Sequence, residues 1–231
     1  MPNIAVVTGG SQGFGTAVAA ELVGETWTVL VDGRDADAVE EAARRVGALG
    51  IPGDVNDPLH RERLIEEARR RGGLDLLVNN ASSLGATPLP NLARYPLETM
   101  RQVLETNVVG PLALTQLALP LLRVHAGAVL NLTSDAAVEG YEGWGAYGAS
   151  KAALEQWSRV LSVEEPGISV WWVDPGDMRT RMHQAAFPGE DITDRPLPET
   201  VAPAIIELLD QHPPSGRIVL RDVVPVGGAT S

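Results

Sequence analysis

Along this chain, short runs of valine, isoleucine and leucine alternate with longer stretches in which apolar residues recur at helical spacing. The short runs are NIAVVT at 3–8, WTVLVD at 27–32, ALGI at 48–51, LDLLVNN at 74–80, AVLNLTS at 128–134, ISVWWVD at 168–174 and RIVL at 217–220. Near-continuous apolarity of this kind predicts strands covered on both faces, as in a parallel sheet layered between helices. Helices are predicted over 13–24, 36–47, 58–71, 96–123, 145–164 and 198–211. Within HRERLIEEARRR at 60–71, Leu64, Ile65 and Ala68 share one side and charge covers the rest, so this helix buries a single stripe. Trp171 and Trp172 are consecutive, so one is expected in the core and the other in the opposite layer.

The alternation predicts right-handed crossovers and an α/β fold: a Rossmann-like, doubly wound sheet of about seven parallel strands with helices on both faces. No internal repeat, low-complexity tract or linker interrupts it, and 231 residues suit one well-buried domain. The whole span 1–231 is therefore read as a single domain. Its least regular stretch, 178–198, mixes Pro188, Gly189, Pro196 and Pro198 with charges and is expected to form a substrate lid.

Composition narrows the function classes. No uninterrupted apolar run reaches the ~20 residues a bilayer span needs, and MPNIAVVTGG has no basic leader, so a cytoplasmic protein without membrane association is expected. The absence of cysteine excludes disulfides and thiolate chemistry, and four scattered histidines offer no ligand spacing, so no metal is expected. A net charge of −12 repels a phosphate backbone, which argues against nucleic acid. Arg69, Arg70 and Arg71 read as a solvated helix end.

The first strand run leads into TGGSQGFG at 8–15, followed by a predicted helix. Glycine allows a tight turn and lets a pyrophosphate approach backbone N–H groups at a helix N-terminus, where the dipole favours anions. An ordinary glycine turn is the competing reading, and the order strand, turn, helix favours the dinucleotide site.

The spacing TGxxxGxG, directly after the first strand, resembles the short-chain dehydrogenase/reductase family, and further motifs agree with it. Asp54-Val55 follows the third strand, Asn79-Asn80-Ala81 ends the fourth with Ser82 in place of the family's glycine, and Ser134 ends the fifth. Tyr147 and Lys151 form YxxxK on the next helix, and Asn107 lies in the long fourth helix. By this resemblance Gly9, Ser11, Gln12, Gly13, Phe14 and Gly15 hold a nicotinamide dinucleotide together with Asp54, Val55, Asn80, Ala81, Tyr147 and Lys151. Pro175, Gly176 and Thr180 line its nicotinamide end. Asn107, Ser134, Tyr147 and Lys151 are the implied catalytic set.

The chemistry has a physical basis beside the name. A tyrosine with an ordinary pKa of about 10 needs a neighbouring cation to favour phenolate near neutrality. Four residues later is one helical turn away, which places the Lys151 ammonium near Tyr147. Ser134 can then hydrogen-bond a substrate carbonyl oxygen and stabilise developing charge. A surface aromatic and a solvated lysine would be the reading in an arbitrary helix. Lys151 is also the chain's only lysine. Pro111 lacks the N–H that would pair with the Asn107 carbonyl, which leaves that carbonyl free to hold a water; the family resemblance implies that such a water belongs to a proton relay from the active-site lysine, so that Asn107 serves through its backbone, and a simple proline kink is the alternative.

Ribose selectivity rests on VLVDGRD at 29–35. An acid at the end of the second strand selects NAD, and an arginine accommodates the 2′-phosphate of NADP. By resemblance Gly33 takes the acid's position and Arg34 the arginine's, with Asp32 one residue early and turned to the other side of the strand. NADP(H) is thus preferred and NAD(H) possible, and a one-residue shift of register reverses the order. On the substrate side, Arg179 and His183 could meet a polar substrate or be solvated, while Tyr141 and Trp144 could wall the pocket or pack between helices.

The expected function is NADPH-dependent reduction of a ketone or aldehyde, or the reverse alcohol oxidation, with Tyr147 as acid and base. The alternative is a catalytically silent NAD(P)-binding regulatory protein on the same scaffold. The resemblance implies a homodimer or homotetramer, although the C-terminal SGRIVLRDVVPVGG departs from the family's glycine-rich ending.

Overall fold

Apolar β-branched runs form the sheet and amphipathic segments cover it, in the alternation the pattern predicts. The computed structural model describes residues 2–223. Its strands are β1 (Ile4–Val7), β2 (Thr28–Gly33), β3 (Leu49–Pro52), β4 (Leu76–Asn79), β5 (Ala128–Leu132), β6 (Ser169–Asp174) and β7 (Gly216–Val219). The helices are α1 (Gly13–Gly24), α2 (Ala36–Val46), α3 (Pro58–Arg70), α4 (Leu97–Leu104), α5 (Gly110–His125), α6 (Gly145–Glu164), α7 (Arg181–Ala186), α8 (Pro198–Val201) and α9 (Pro203–Gln211).

All seven strands run parallel in the order β3-β2-β1-β4-β5-β6-β7. The chain winds outward from β1 to β3 and then returns to place β4 on the other side of β1. That reversal opens a crevice beyond the strands' carboxyl ends, where α/β sheets bind ligands. The expected doubly wound architecture is the observed one.

One apolar layer joins Ala5, Val7, Val31 and Trp171 of the sheet to Leu22 and Ile205 from α1 and α9, and the other joins Val6, Leu77 and Val129 to Leu64, Leu114 and Leu122 from α3 and α5. Trp171 is fully buried in the first layer, while Trp172 lies on the α6 side with Arg159 over its ring. Local chemistry fixes the helix starts: Asp35 and Asp57 cap α2 and α3, accepting from Ala38 N and Leu59 N, and Pro58 occupies the first turn of α3. Arg69, Arg70 and Arg71 pair with Glu66 and Glu67 at the exposed end of α3.

Two predicted helices are divided. The long one at 96–123 contains a π turn, Glu105–Val109, between α4 and α5, closed by Gly110 N donating to Glu105 O. Pro111 cannot donate to Asn107 O, and the wider turn absorbs the mismatch. The last predicted helix splits into α8 and α9 at Ala202, directly before Pro203. Leu97–His125 is, among the described residues, long and apolar enough to cross a membrane by length and composition (29 residues, with an 18-residue stretch of mean hydropathy 1.3). In this fold α5 packs on α3 and the sheet, and α4 on α6. The segment 178–198 is less irregular than expected, because α7 lies within it. Of the C-terminal stretch, residues 224–231 lie outside the described residues.

Candidate functional site

The turn after β1 is built by hydrogen bonds from the turn after β4. Thr8 Oγ1 accepts from Asn80 N and Ala81 N, each at 3.0 Å, and Asn80 Nδ2 donates to Thr8 O at 2.8 Å and Gly9 O at 3.2 Å. Gly9 and Gly13 have φ of +64° and +58°, the left-handed region that side chains disfavour. A Cβ on Gly15 would stand 2.4 Å from Asn80 Nδ2 and 2.7 Å from Gly9 O, so backbone approaches backbone only because nothing larger is there.

Gln12 precedes α1 without a capping hydrogen bond from its side chain. The first N–H groups of α1 are therefore left for an anion, which fits a pyrophosphate. Ser11 is half-buried in the same turn. The ring of Phe14 is buried in the core, so its backbone N–H is what it can offer a ligand.

Asp32 is buried, on the side of its strand away from the ribose-selecting position, as alternation predicts. Its Oδ1 accepts from Gly9 N at 2.7 Å, and its Oδ2 meets His60 Nε2 at 3.0 Å. Burial pushes its carboxyl up despite these partners. Asp32 thus braces the glycine turn and leaves the ribose side to its neighbours. A Cβ on Gly33 would point at Ser11 Oγ and Val39, while Arg34 is exposed just beyond. Asp54 is half-buried, with Oδ1 fastened to Asn56 N, and Val55 is buried with its carbonyl accepting from Arg61.

The side chain of Asn107 is a clamp. Its Oδ1 accepts from Ser83 N at 2.8 Å and from Ser82 Oγ at 3.2 Å, and its Nδ2 donates to Ser83 O and Ser150 Oγ, both at 2.9 Å. The missing proline donor points to the Asn107 carbonyl; the structure adds a buried amide that fixes the 82–83 backbone to α6. Ser82, standing where the family's glycine would, is part of this joint.

Ser134, Tyr147 and Lys151 come together beyond β5. Ser134 Oγ donates to Asp135 Oδ1 at 2.9 Å and accepts from Ala136 N. Lys151 is buried, its Nζ 5.4 Å from the Tyr147 ring centroid and donating to Leu132 O at 2.7 Å. Trp144 sets its ring edge-to-face on Tyr147 with centroids 5.5 Å apart and also meets Phe187 beside α7.

The electrostatics reverse one expectation. Burial pushes the Tyr147 phenol up, and the negative fields of Asp174 and Asp135 push it further, while the Ser82 and Ser134 hydroxyls, as hydrogen-bond partners, oppose the rise. Burial alone lowers Lys151 from 10.5 to about 7. A cation that burial itself disfavours cannot stabilise phenolate strongly. Without a dinucleotide beside it, the phenol is held as an acid.

Asp174 Oδ1 accepts from Gly176 N, shaping the Pro175-Gly176 turn. Thr180 caps α7, and its methyl lies 3.6 Å from where a Cβ on Gly13 would stand, so this segment begins over the glycine turn. Arg181 reaches Gln12 from the same place. Arg179 is turned into its own loop, donating to Thr193 O, and His183 faces Asp177 at 3.7 Å and packs on Phe187. Tyr141 is exposed and donates to Asp135 and Glu139.

Known proteins resemble this chain in sequence and in fold. Serine 3-dehydrogenase of Agrobacterium fabrum is 36% identical over 188 residues, covering 78% of this chain and 74% of that protein. The rhamnolipids biosynthesis 3-oxoacyl-[acyl-carrier-protein] reductase of Pseudomonas aeruginosa is 35% identical over 251 residues, covering 98% and 95%. Among solved structures, a short-chain dehydrogenase of Shigella flexneri complexed with NADP superposes with a TM-score of 0.88 at 27% identity, covering 94% of this chain and 95% of that one. Residues 3–191 match the short chain dehydrogenase family, and this chain belongs to that family of oxidoreductases.

Proposed function

We propose that this chain reduces a ketone or aldehyde with NADPH, or runs the reverse alcohol oxidation, in one domain whose 178–198 segment covers the substrate. The carrying observation is the convergence of half-buried Ser134 with buried Tyr147 and Lys151 at the crevice that the glycine turn also borders. The Pseudomonas relative that spans nearly the whole chain is named a reductase, and the Shigella structure holds NADP. When bound, the nicotinamide supplies or receives the hydride.

The chain's own residues do the rest. The α1 N-terminus and Gly9 to Gly15 hold the pyrophosphate, Asp54 and Val55 the adenine, and Asn80, Ala81 and Lys151 the ribose on the reacting side. Pro175, Gly176 and Thr180 orient the ring. Ser134 turns its hydroxyl from Asp135 to the substrate oxygen, and Tyr147 gives that oxygen its proton. Asn107 holds the floor of the site rigid through Ser83 and Ser150, with its carbonyl available to a relay water.

A panel of ketones and aldehydes followed by NADPH absorbance tests this reading; bound NADPH with no turnover on any member overturns it. Cofactor choice gives a sharper outcome. Kcat/KM is expected to be higher with NADPH than with NADH, and Arg34→Ala to lower the NADPH value about tenfold or more while sparing NADH, since a charge-assisted hydrogen bond contributes about 1.5–3 kcal/mol. An NADH preference in the parent chain refutes the assignment.

A further inference from the structure

Behind the catalytic serine, Arg217 of β7 reaches past the ends of β5 and β6 to α6. Its Nε donates to Glu155 Oε1 at 3.0 Å, and its Nη2 donates to Asp174 Oδ2 at 2.9 Å and to Ser134 O at 3.3 Å. Glu155 Oε1 also accepts from Thr133 Oγ1 at 2.8 Å, and Asp174 Oδ1 accepts from Gly176 N. The two carboxylates are only 6% and 10% exposed. One guanidinium therefore joins α6 two turns beyond Tyr147, the backbone of Ser134, and the carboxylate that shapes the Pro175-Gly176 turn.

Buried ion pairs add little to stability compared with apolar packing, so stability alone is a poor reason for this arrangement. Position supplies a better one. Arg217 holds three pieces of the site that come from separate elements, and its guanidinium lies directly on the carboxylates of Glu155 and Asp174. We propose that Arg217 is a positioning residue: it fixes Ser134 and the turn after β6 relative to α6, and it masks the charge of Asp174 from Tyr147. The inference rests on the reading of Tyr147 as the acid-base group.

The phenol packs among apolar side chains, and the elements around it carry these charged groups. Lys151 and Glu155 share its helix, Asp135 stands beside Ser134, Asp174 ends β6, Arg217 comes from β7, and Arg181 and His183 lie on α7, which packs Ala186 near Tyr147. Asp174 and Asp135 are those whose fields raise its pKa. Removing Arg217 leaves Asp174 unmasked, so the phenol should release its proton at higher pH.

The experiment is a tyrosinate absorbance titration with saturating NADP+, using Tyr147→Phe as the blank that subtracts Tyr95 and Tyr141. Arg217→Gln is expected to move the Tyr147 step upward by about half a pH unit or more. Arg217→Lys should keep it near the parent's value, and Arg217→Gln with Asp174→Asn should bring it back. An unmoved step in folded Arg217→Gln overturns the proposal. Should that variant fail to fold, Arg217→Gln with Asp174→Asn is set beside Asp174→Asn alone: a higher step in the double variant supports Arg217 as the masking cation, and coincident steps overturn it. Full turnover by Tyr147→Phe would instead sink the acid-base reading, a separate failure.

Discussion

Tyr147→Phe is expected to lower kcat/KM about a thousandfold, within the span general acid-base groups contribute, while leaving NADPH affinity within about twofold. The phenol ring is buried against Trp144, and phenylalanine keeps that packing. What it removes is a proton donor facing Ser134. Because burial, Asp174 and Asp135 all push the phenol up, the group carries its proton through the physiological range. That state suits carbonyl reduction. The sign of the pH dependence follows: the reductive rate should hold as pH rises and fall only when the phenol titrates, whereas the oxidative rate, which needs the phenol deprotonated, should climb with pH. Stopped-flow and steady-state kinetics of both directions, beside fluorescence binding of NADPH, check these outcomes. Retained turnover in Tyr147→Phe, or a reductive rate that climbs with pH, would refute the assignment.

The sheet was legible because its strands are buried on both faces and so are written as unbroken apolar runs. The glycine turn was legible for a related reason: Gly9, Gly13 and Gly15 answer to backbone geometry, and their spacing survives in sequence. Tyr147 and Lys151 are one helical turn apart, so adjacency along the chain implies adjacency in space.

The parts that stayed hidden are joined across long separations. His60 meets Asp32 over 28 residues, and Arg217 meets Ser134 over 83. Nothing near a lone histidine or arginine on its own element marks such a partner. Asp32 could be placed on the side of its strand opposite Gly33 by alternation, but the groups that satisfy it there come from α3 and the glycine turn. The π turn before Pro111 escaped because local spacing registers a missing donor and not how the helix accommodates it. The sign of the Tyr147 shift depends on burial and on two aspartates from different strands' ends, and helical spacing carries neither.

Lys151→Arg is expected to lower kcat/KM about a hundredfold even though arginine also supplies a cation. The ammonium occupies a buried position, 3% exposed, with Nζ directed to Leu132 O beside the phenol. A guanidinium is planar, broader and forked, and cannot occupy that space with the same direction. Burial also lowers the lysine to about 7, a response an arginine does not share because it stays charged. The folded value lies below the ordinary 10.5, so between about pH 7 and 10.5 the unfolded chain binds more protons and unfolding free energy rises with pH. Lys151→Met removes that titration. Denaturant melts should therefore show the parent gaining stability relative to Lys151→Met as pH rises through this window, and a constant difference would refute a depressed lysine. Dinucleotide binding brings phosphate charge and ribose hydroxyl acceptors toward the ammonium, which favours its protonated form. Binding near pH 8 should accordingly take up protons in the parent and not in Lys151→Met, a difference that calorimetry in buffers of unlike ionisation enthalpy reads directly. Near-parent turnover in Lys151→Arg would show that charge alone suffices, and the chain's solitary lysine would then have no geometric reason to be there.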